Sequence, residues 1–125
     1  MSELLEAHRE ALAQERLTFQ RCAACGNAWL PPRDACPSCL LPEWAWEDAR
    51  GSGRLVSWVV YHRAYRPDFE DRVPYNVALV ELDEGPRLIT NVVGVDGGDG
   101  LEIDRAVVWQ PDREGEVPVA RFRLA

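Results

Sequence analysis

The chain has 125 residues, 14 of them basic and 21 acidic, for a formal charge of -7. All the basic residues are arginine, and without lysine the chain cannot form the amine-derived Schiff base of many aldolases, decarboxylases and pyridoxal enzymes. Neither half is basic, which argues against a nucleic-acid partner, and no apolar run approaches the roughly 20 residues of a membrane helix.

The first residues, Met1 to Glu10, carry acid where a secretory signal would carry a basic and then an apolar stretch, so the expected location is the cytoplasm. Leu4, Leu5, His8, Ala11 and Leu12 recur with the spacing of one helix face, which predicts an amphipathic helix within residues 1–16, with Ser2 placed to cap it.

Residues 17–49 have a different character. Cys22-Ala23-Ala24-Cys25 and Cys36-Pro37-Ser38-Cys39 are two C-x-x-C pairs ten residues apart, with no cysteine left over. Each pair sets two thiolates on one side of a tight knuckle, for which Gly26 and Pro37 are well suited, and two facing knuckles offer the sulfur tetrahedron of a structural zinc site. A module this small buries too little apolar surface to fold unaided, whereas zinc contributes about 10 kcal/mol. Disulfides and a thioredoxin-like redox pair are the alternatives, and spacing alone does not separate zinc from iron. Four cysteine ligands leave no open position, so the ion is expected to be structural. Trp44 and Trp46 share one face of a following short strand and are expected to pack between this module and the next.

Gly51-Ser52-Gly53 reads as a joint, with residues 50–125 as the second unit. Strands are expected at 54–62, 75–82, 88–93, 106–110 and 117–122, with turn-rich segments at Asp83 to Pro86, Asp96 to Gly100 and Pro111 to Gly115. The glycine-rich Asp96 to Gly100 is expected to be a solvated turn. Five strands with no helical segment among them suggest a small barrel such as the OB-fold, with a sandwich as the alternative.

Catalytic groups are scarce. Ser57 and His62 lie five apart and point to opposite faces of a strand, and there is no nucleophile elbow or phosphate loop. The connection from Tyr61 to Tyr75 is richer, with His62, Arg63, Tyr65, Arg66, Phe69 and Tyr75 as candidates for a partner- or ligand-binding surface. Arginine grips carboxylate or phosphate in bidentate fashion, and aromatics add contact area at low entropic cost. A loop folded over the barrel mouth with its charges paired internally would have the same composition.

Arg21 to Gly26, Pro31-Pro32-Arg33, Cys36 to Cys39, Ser57 to Val60, His62-Arg63, Val73-Pro74-Tyr75 and Val80 to Arg87, taken in order, resemble a family with a rubredoxin-like zinc ribbon followed by an OB-fold, known as domain of unknown function thirty-five. The resemblance implies a mainly β protein with an N-terminal helix, the ribbon and a five-stranded barrel. Cys22, Cys25, Cys36 and Cys39 then hold one Zn2+. It also implies an accessory subunit, not catalytic alone, of a thiolase or a lipid-transfer-protein-type aldolase acting on acyl-CoA, such as steroid side-chain thioesters. A stand-alone acyl-CoA carrier and an OB-fold binder of single-stranded nucleic acid are the competing readings. The chain departs from the family pattern at Ile103-Asp104-Arg105-Ala106, where an acid stands in place of an expected glycine.

Overall fold

The computed structural model describes residues 2–63, 67 and 72–125. Helix α1 (Ser2–Ala13) buries Ala11 and Leu12 and half-buries Leu4 and His8, while Leu5 on the same stripe is 37% exposed. Glu15 takes a left-handed conformation (φ 59°) as the helix ends, and the Arg16 N–H donates back to the Ala11 carbonyl at 2.8 Å. Arg16 then pairs with Asp48 at 2.8 Å and ties the helix end to the ribbon. Among the described residues no helix is long and apolar enough to cross a membrane.

The ribbon is an antiparallel sheet of β1 (Thr18–Cys22), β2 (Ala28–Trp29) and β3 (Trp44–Asp48), with β1 in the middle. Gln20 in β1 is completely buried, and its amide makes both bonds an extended backbone would make: Nε2 donates to the Arg33 carbonyl and Oε1 accepts from the Arg33 N–H, each at 2.8 Å. This pins the Pro31-Pro32-Arg33 loop to β1 where Pro31 and Pro32 have no N–H to offer.

The barrel follows: β4 (Ser52–Tyr61), β5 (Tyr75–Leu82), β6 (Arg87–Thr90), β7 (Val92–Val93), β8 (Ala106–Glu114) and β9 (Val117–Leu124), in the order β6-β5-β4-β8-β9-β7. Its core includes Leu55, Val80, Leu82, Val107 and Phe122, and it also takes Leu12 from the helix and Leu17 from the start of the ribbon. The ribbon has its own small core of Cys22, Trp29 and Cys36, flanked by Cys39 and Trp44. Helix, ribbon base and barrel therefore share apolar packing, while the cysteine end of the ribbon stands apart.

Four local expectations are corrected. The Gly51-Ser52-Gly53 joint is not a linker: Ser52 and Gly53 open β4 and pair with β8, and Gly53 also pairs with β5. A Cβ at Gly53 would sit 2.5 Å from the Glu81 carbonyl oxygen, so only glycine lets the strands meet there. The expected strand 88–93 is two strands. It leaves β5 after Thr90 and, past Asn91, pairs in parallel with β9, because closing the barrel requires a change of partner.

Pro111 to Gly115 is not a turn-rich segment, since β8 runs through Glu114. β4 pairs with β8 only as far as Val108, and Trp109 N–H still reaches the Gly51 carbonyl; past it no described strand pairs with that edge of β8, which therefore tolerates a proline. In the Asp96 to Gly100 segment, Gly97 is buried against Pro74 and Val60, so the loop caps the barrel end instead of standing wholly in solvent.

Asp104, where glycine was expected, is left-handed (φ 65°), a conformation aspartate tolerates better than most residues. Its N–H donates to the Leu55 carbonyl at 2.8 Å, and its carboxylate pairs with Arg54.

Candidate metal centre and neighbouring surfaces

The two knuckles are built alike. Ala24 and Cys25 N–H donate to Cys22 Sγ at 3.3 and 3.4 Å, and Ser38 and Cys39 N–H donate to Cys36 Sγ, both at 3.4 Å. Gly26 N–H returns to the Cys22 carbonyl at 3.1 Å, and Leu40 N–H to the Cys36 carbonyl at 2.9 Å. Both turns need a left-handed residue after the second cysteine: Gly26 at φ 78° in the first and Leu40 at φ 67° in the second. Leucine bears the steric cost there, with its side chain 75% exposed.

The knuckles face each other. Cys22 and Cys39 sulfurs lie 3.5 Å apart, Cys25 and Cys36 sulfurs 3.6 Å apart, and all four lie within 4.8 Å of one another. A tetrahedral zinc with bonds of about 2.3 Å needs sulfur separations of about 3.8 Å, so the cage has the right size for one ion.

The electrostatics fit a cation as well. The Cys25 and Ala24 N–H groups hold the Cys22 thiol below its ordinary range. Burial pushes Cys36 up, but the Cys39 and Ser38 N–H groups outweigh it and bring the thiol down to about 6. Cys25 and Cys39 are raised, because one backbone N–H each, from Asn27 and Leu41, does not offset burial and the neighbouring thiols. Four sulfurs this close cannot all ionise unless a cation sits among them. Asn27 Nδ2 adds a longer contact to Cys36 Sγ at 3.7 Å.

The tryptophans do not pack between ribbon and barrel as expected. Trp44 lies against the cysteine core and donates from Nε1 to the Asp34 carbonyl at 2.9 Å. Trp46 meets Trp44 edge-on, with centroids 5.5 Å apart, and stacks on His8 of α1 at 6.2 Å.

His8 Nδ1 also lies 3.4 Å from Thr18 Oγ1, and burial followed by the Arg9 charge holds the imidazole below the ordinary histidine range. The folded state therefore prefers neutral His8. Its contribution is fully present above pH about 6.5 and is lost as pH falls through the lowered folded value. Thermal melts between pH 7.5 and 5 should show a decline that is shallower in His8→Phe; parallel curves for the two proteins would contradict this.

Of the loop candidates, Tyr75 stacks on Tyr61 with centroids 5.1 Å apart, and His62 and Arg63 are exposed. Tyr65, Arg66 and Phe69 lie outside the described residues. Tyr75 joins Arg72, Asn76, Asn91 and Arg121 around a cleft of about 290 Å3, which His62 and Arg63 do not line. Arg72 and Arg121 both grip Glu114, and Arg121 also holds Asp112 at 2.7 Å. These charges are paired internally, and the two arginines together hold the Glu114 carboxyl down to about 2.

Gln20 and Asn76 carry no marker in the sequence, since each is one polar residue inside a strand. Asn76 is buried: Nδ2 donates to the Val92 and Gly97 carbonyls, both at 2.8 Å, and Oδ1 accepts from the Val92 N–H at 2.7 Å.

Two family profiles match adjoining stretches of the chain: the ChsH2 rubredoxin-like zinc ribbon domain over residues 9–44 and the ChsH2 C-terminal OB-fold domain over residues 46–109. The chain belongs to the ChsH2 family. Its zinc ribbon carries the four cysteines, which are positioned to bind one metal ion. A DUF35 domain-containing scaffold protein of Methanothermobacter thermautotrophicus is 36% identical over 107 residues, covering 82% of this chain and 77% of that protein. A "Probable enoyl-CoA hydratase alpha subunit" of Thermomonospora curvata is 46% identical over 115 residues, or 90% of this chain. The chain spans only 35% of that relative's length.

Among solved structures, a chain of the "Ltp2-ChsH2(DUF35) aldolase" superposes with a TM-score of 0.82 at 42% identity, covering 95% of this chain and 92% of that one. A DUF35 protein of Sulfolobus solfataricus, 13% identical with a TM-score of 0.70, shares the fold over 96% of this chain and 84% of its own.

Proposed function

We propose that this chain is a non-catalytic accessory subunit of a thiolase-superfamily enzyme, a retro-aldolase or thiolase that cleaves or forms a carbon-carbon bond in an acyl-CoA substrate such as a steroid side-chain thioester. The observation that carries this reading is the near-complete superposition, at 42% identity, on a chain of a two-component aldolase. The scaffold designation of the Methanothermobacter relative supports it.

The site chemistry agrees. Four thiolates close the metal's coordination sphere, so the ion shapes a surface and activates no water. The reacting groups then belong to a thiolase-like subunit in a hetero-oligomer, and this chain steadies that subunit's active shape. Four free cysteines suit a reducing compartment, in keeping with a cytoplasmic location.

Co-expression with a thiolase-like subunit from the same genome should give a complex that co-elutes and turns over acyl-CoA, while neither chain does so alone. A thiolase-like subunit that is soluble and fully active by itself would overturn the reading.

A further inference from the structure

We infer that the thiolase-like subunit docks on one particular face of this chain, the outer surface of β4, β5 and β6 and the groove that continues from it beneath α1. The inference rests on the functional reading above and names the surface through which it would operate.

One face of an antiparallel barrel sheet packs the core, and the other ordinarily carries polar residues to water. Here Leu55, Asn76, Ala78, Val80 and Leu82 point inward and are buried. A bulge between Leu55 and Ser57 shifts the alternation in β4 by one residue, so Val59 and Tyr61 face outward opposite Val77 and Tyr75. Leu79 lies next along β5, opposite Ile89 of β6. The outward face thus holds a run of Tyr61, Val59, Tyr75, Val77, Leu79 and Ile89, with Val59 54% and Ile89 75% exposed, bordered by Ser57 and by Glu81 paired with Arg54 and Arg87. Val59 and Ile89 stand on the side of the sheet away from the core, so core packing accounts for neither of them.

Leu79 and Ile89 also form one wall of a groove of about 580 Å3, whose other walls come from Leu5 and Leu12 of α1 and from Leu30 and Pro31 of the ribbon. All three parts of the fold contribute to it, so the surface exists only when helix, ribbon and barrel are assembled.

Charge identifies the kind of occupant. In a chain with 21 acids and 14 arginines, the groove is lined by Arg9 and Arg87 and by no carboxylate; Arg87 already pairs with Glu81 of β5 at 2.8 Å, which leaves Arg9 as the charge offered to an occupant. A segment of the thiolase-like subunit that presents apolar side chains flanked by Asp or Glu complements this lining, and it would be steered there past the acidic remainder of the surface. The exposed residues of β4 and β6 stand on the outside of the sheet, where a single alkyl chain would remain half in water but a protein surface covers them.

The test is the affinity of the full-length chain for the thiolase-like subunit, measured with the zinc-loaded protein. Ile89→Glu should weaken the complex about ten-fold or more, and Arg9→Glu several-fold, mainly through slower association at low salt. Ile103→Glu, an isoleucine 69% exposed and outside the groove, is the matched control and should leave affinity unchanged. Metal content and melting temperature equal to those of the unsubstituted chain verify that the variants fold.

A complex that forms normally with Ile89→Glu and Arg9→Glu overturns this surface while leaving the functional reading intact. Failure of the unsubstituted chain to bind any thiolase-like subunit overturns that reading itself. Saturable binding of long-chain acyl-CoA to the isolated chain, abolished by Ile89→Glu while the complex persists, would assign the groove to an acyl chain and overturn the docking inference.

Discussion

Removal of the metal, by a chelator or by Cys36→Ser, should unfold the ribbon and leave much of the barrel in place. The ribbon core is Cys22, Trp29 and Cys36 with Cys39 and Trp44 against it, so three of its five side chains are ligands. Without the ion these are thiols crowded within 4.8 Å of one another, and the remaining apolar contacts come from two tryptophans. Metal binding of this kind is worth about 10 kcal/mol, comparable to the whole stability of an ordinary domain.

The barrel keeps Leu55, Val80, Leu82, Val107 and Phe122, although it loses firm anchorage of Leu17 and Leu30. Tryptophan fluorescence should therefore report loss of the Trp29 and Trp44 environments, amide exchange should become fast across 18–48, and β4, β5, β8 and β9 should remain protected, with a lower melting temperature. Metal-free protein with unchanged fluorescence and melting would refute this assignment of the ion as the ribbon's core. The docking surface would be lost at the same time, because Leu30 and Pro31 form part of its wall.

Asn76→Ala should be the most damaging single change in the barrel. β5 and β7 do not pair along their backbones; the Asn76 side chain bridges them and binds Gly97 of the capping loop. Alanine leaves the Val92 N–H, the Val92 carbonyl and the Gly97 carbonyl without this partner, at about 1–3 kcal/mol for each buried group left unpaired. A total of about 3–5 kcal/mol is expected, read as a fall in the denaturant midpoint at constant slope. Asn76→Asp should also be destabilising, since its carboxylate can accept from Val92 N–H but cannot donate to either carbonyl. An unaltered midpoint in Asn76→Ala would show that other groups close the barrel.

A four-cysteine cluster placed for one metal ion was legible in the sequence because its signal is local: two C-x-x-C pairs at short separation, in a segment with too little apolar surface to fold otherwise. The same holds for the helix face and for most strand positions, the strand at 75–82 among them, although which of its two largely apolar faces turns inward appears only in the structure. What alternation does not reveal is which neighbour a strand takes. The split at Asn91 follows from barrel closure, and β8 continues through Pro111 where no described strand pairs with its other edge. The left-handed Leu40 was equally hidden, since its conformation is imposed by the knuckle that Cys36 and Cys39 make.

The amino-acid sequence alone thus determined the four-sulfur cage, the order of helix, ribbon and barrel, and the scarcity of catalytic groups, because each depends on residue type and short-range spacing. Only the tertiary structure decided that Gln20 and Asn76 stand in for missing backbone pairing. It alone turned the outward side chains of three strands into one apolar face continuous with a carboxylate-free groove. Those properties belong to residues distant along the chain, and they arise only when packing brings the residues together.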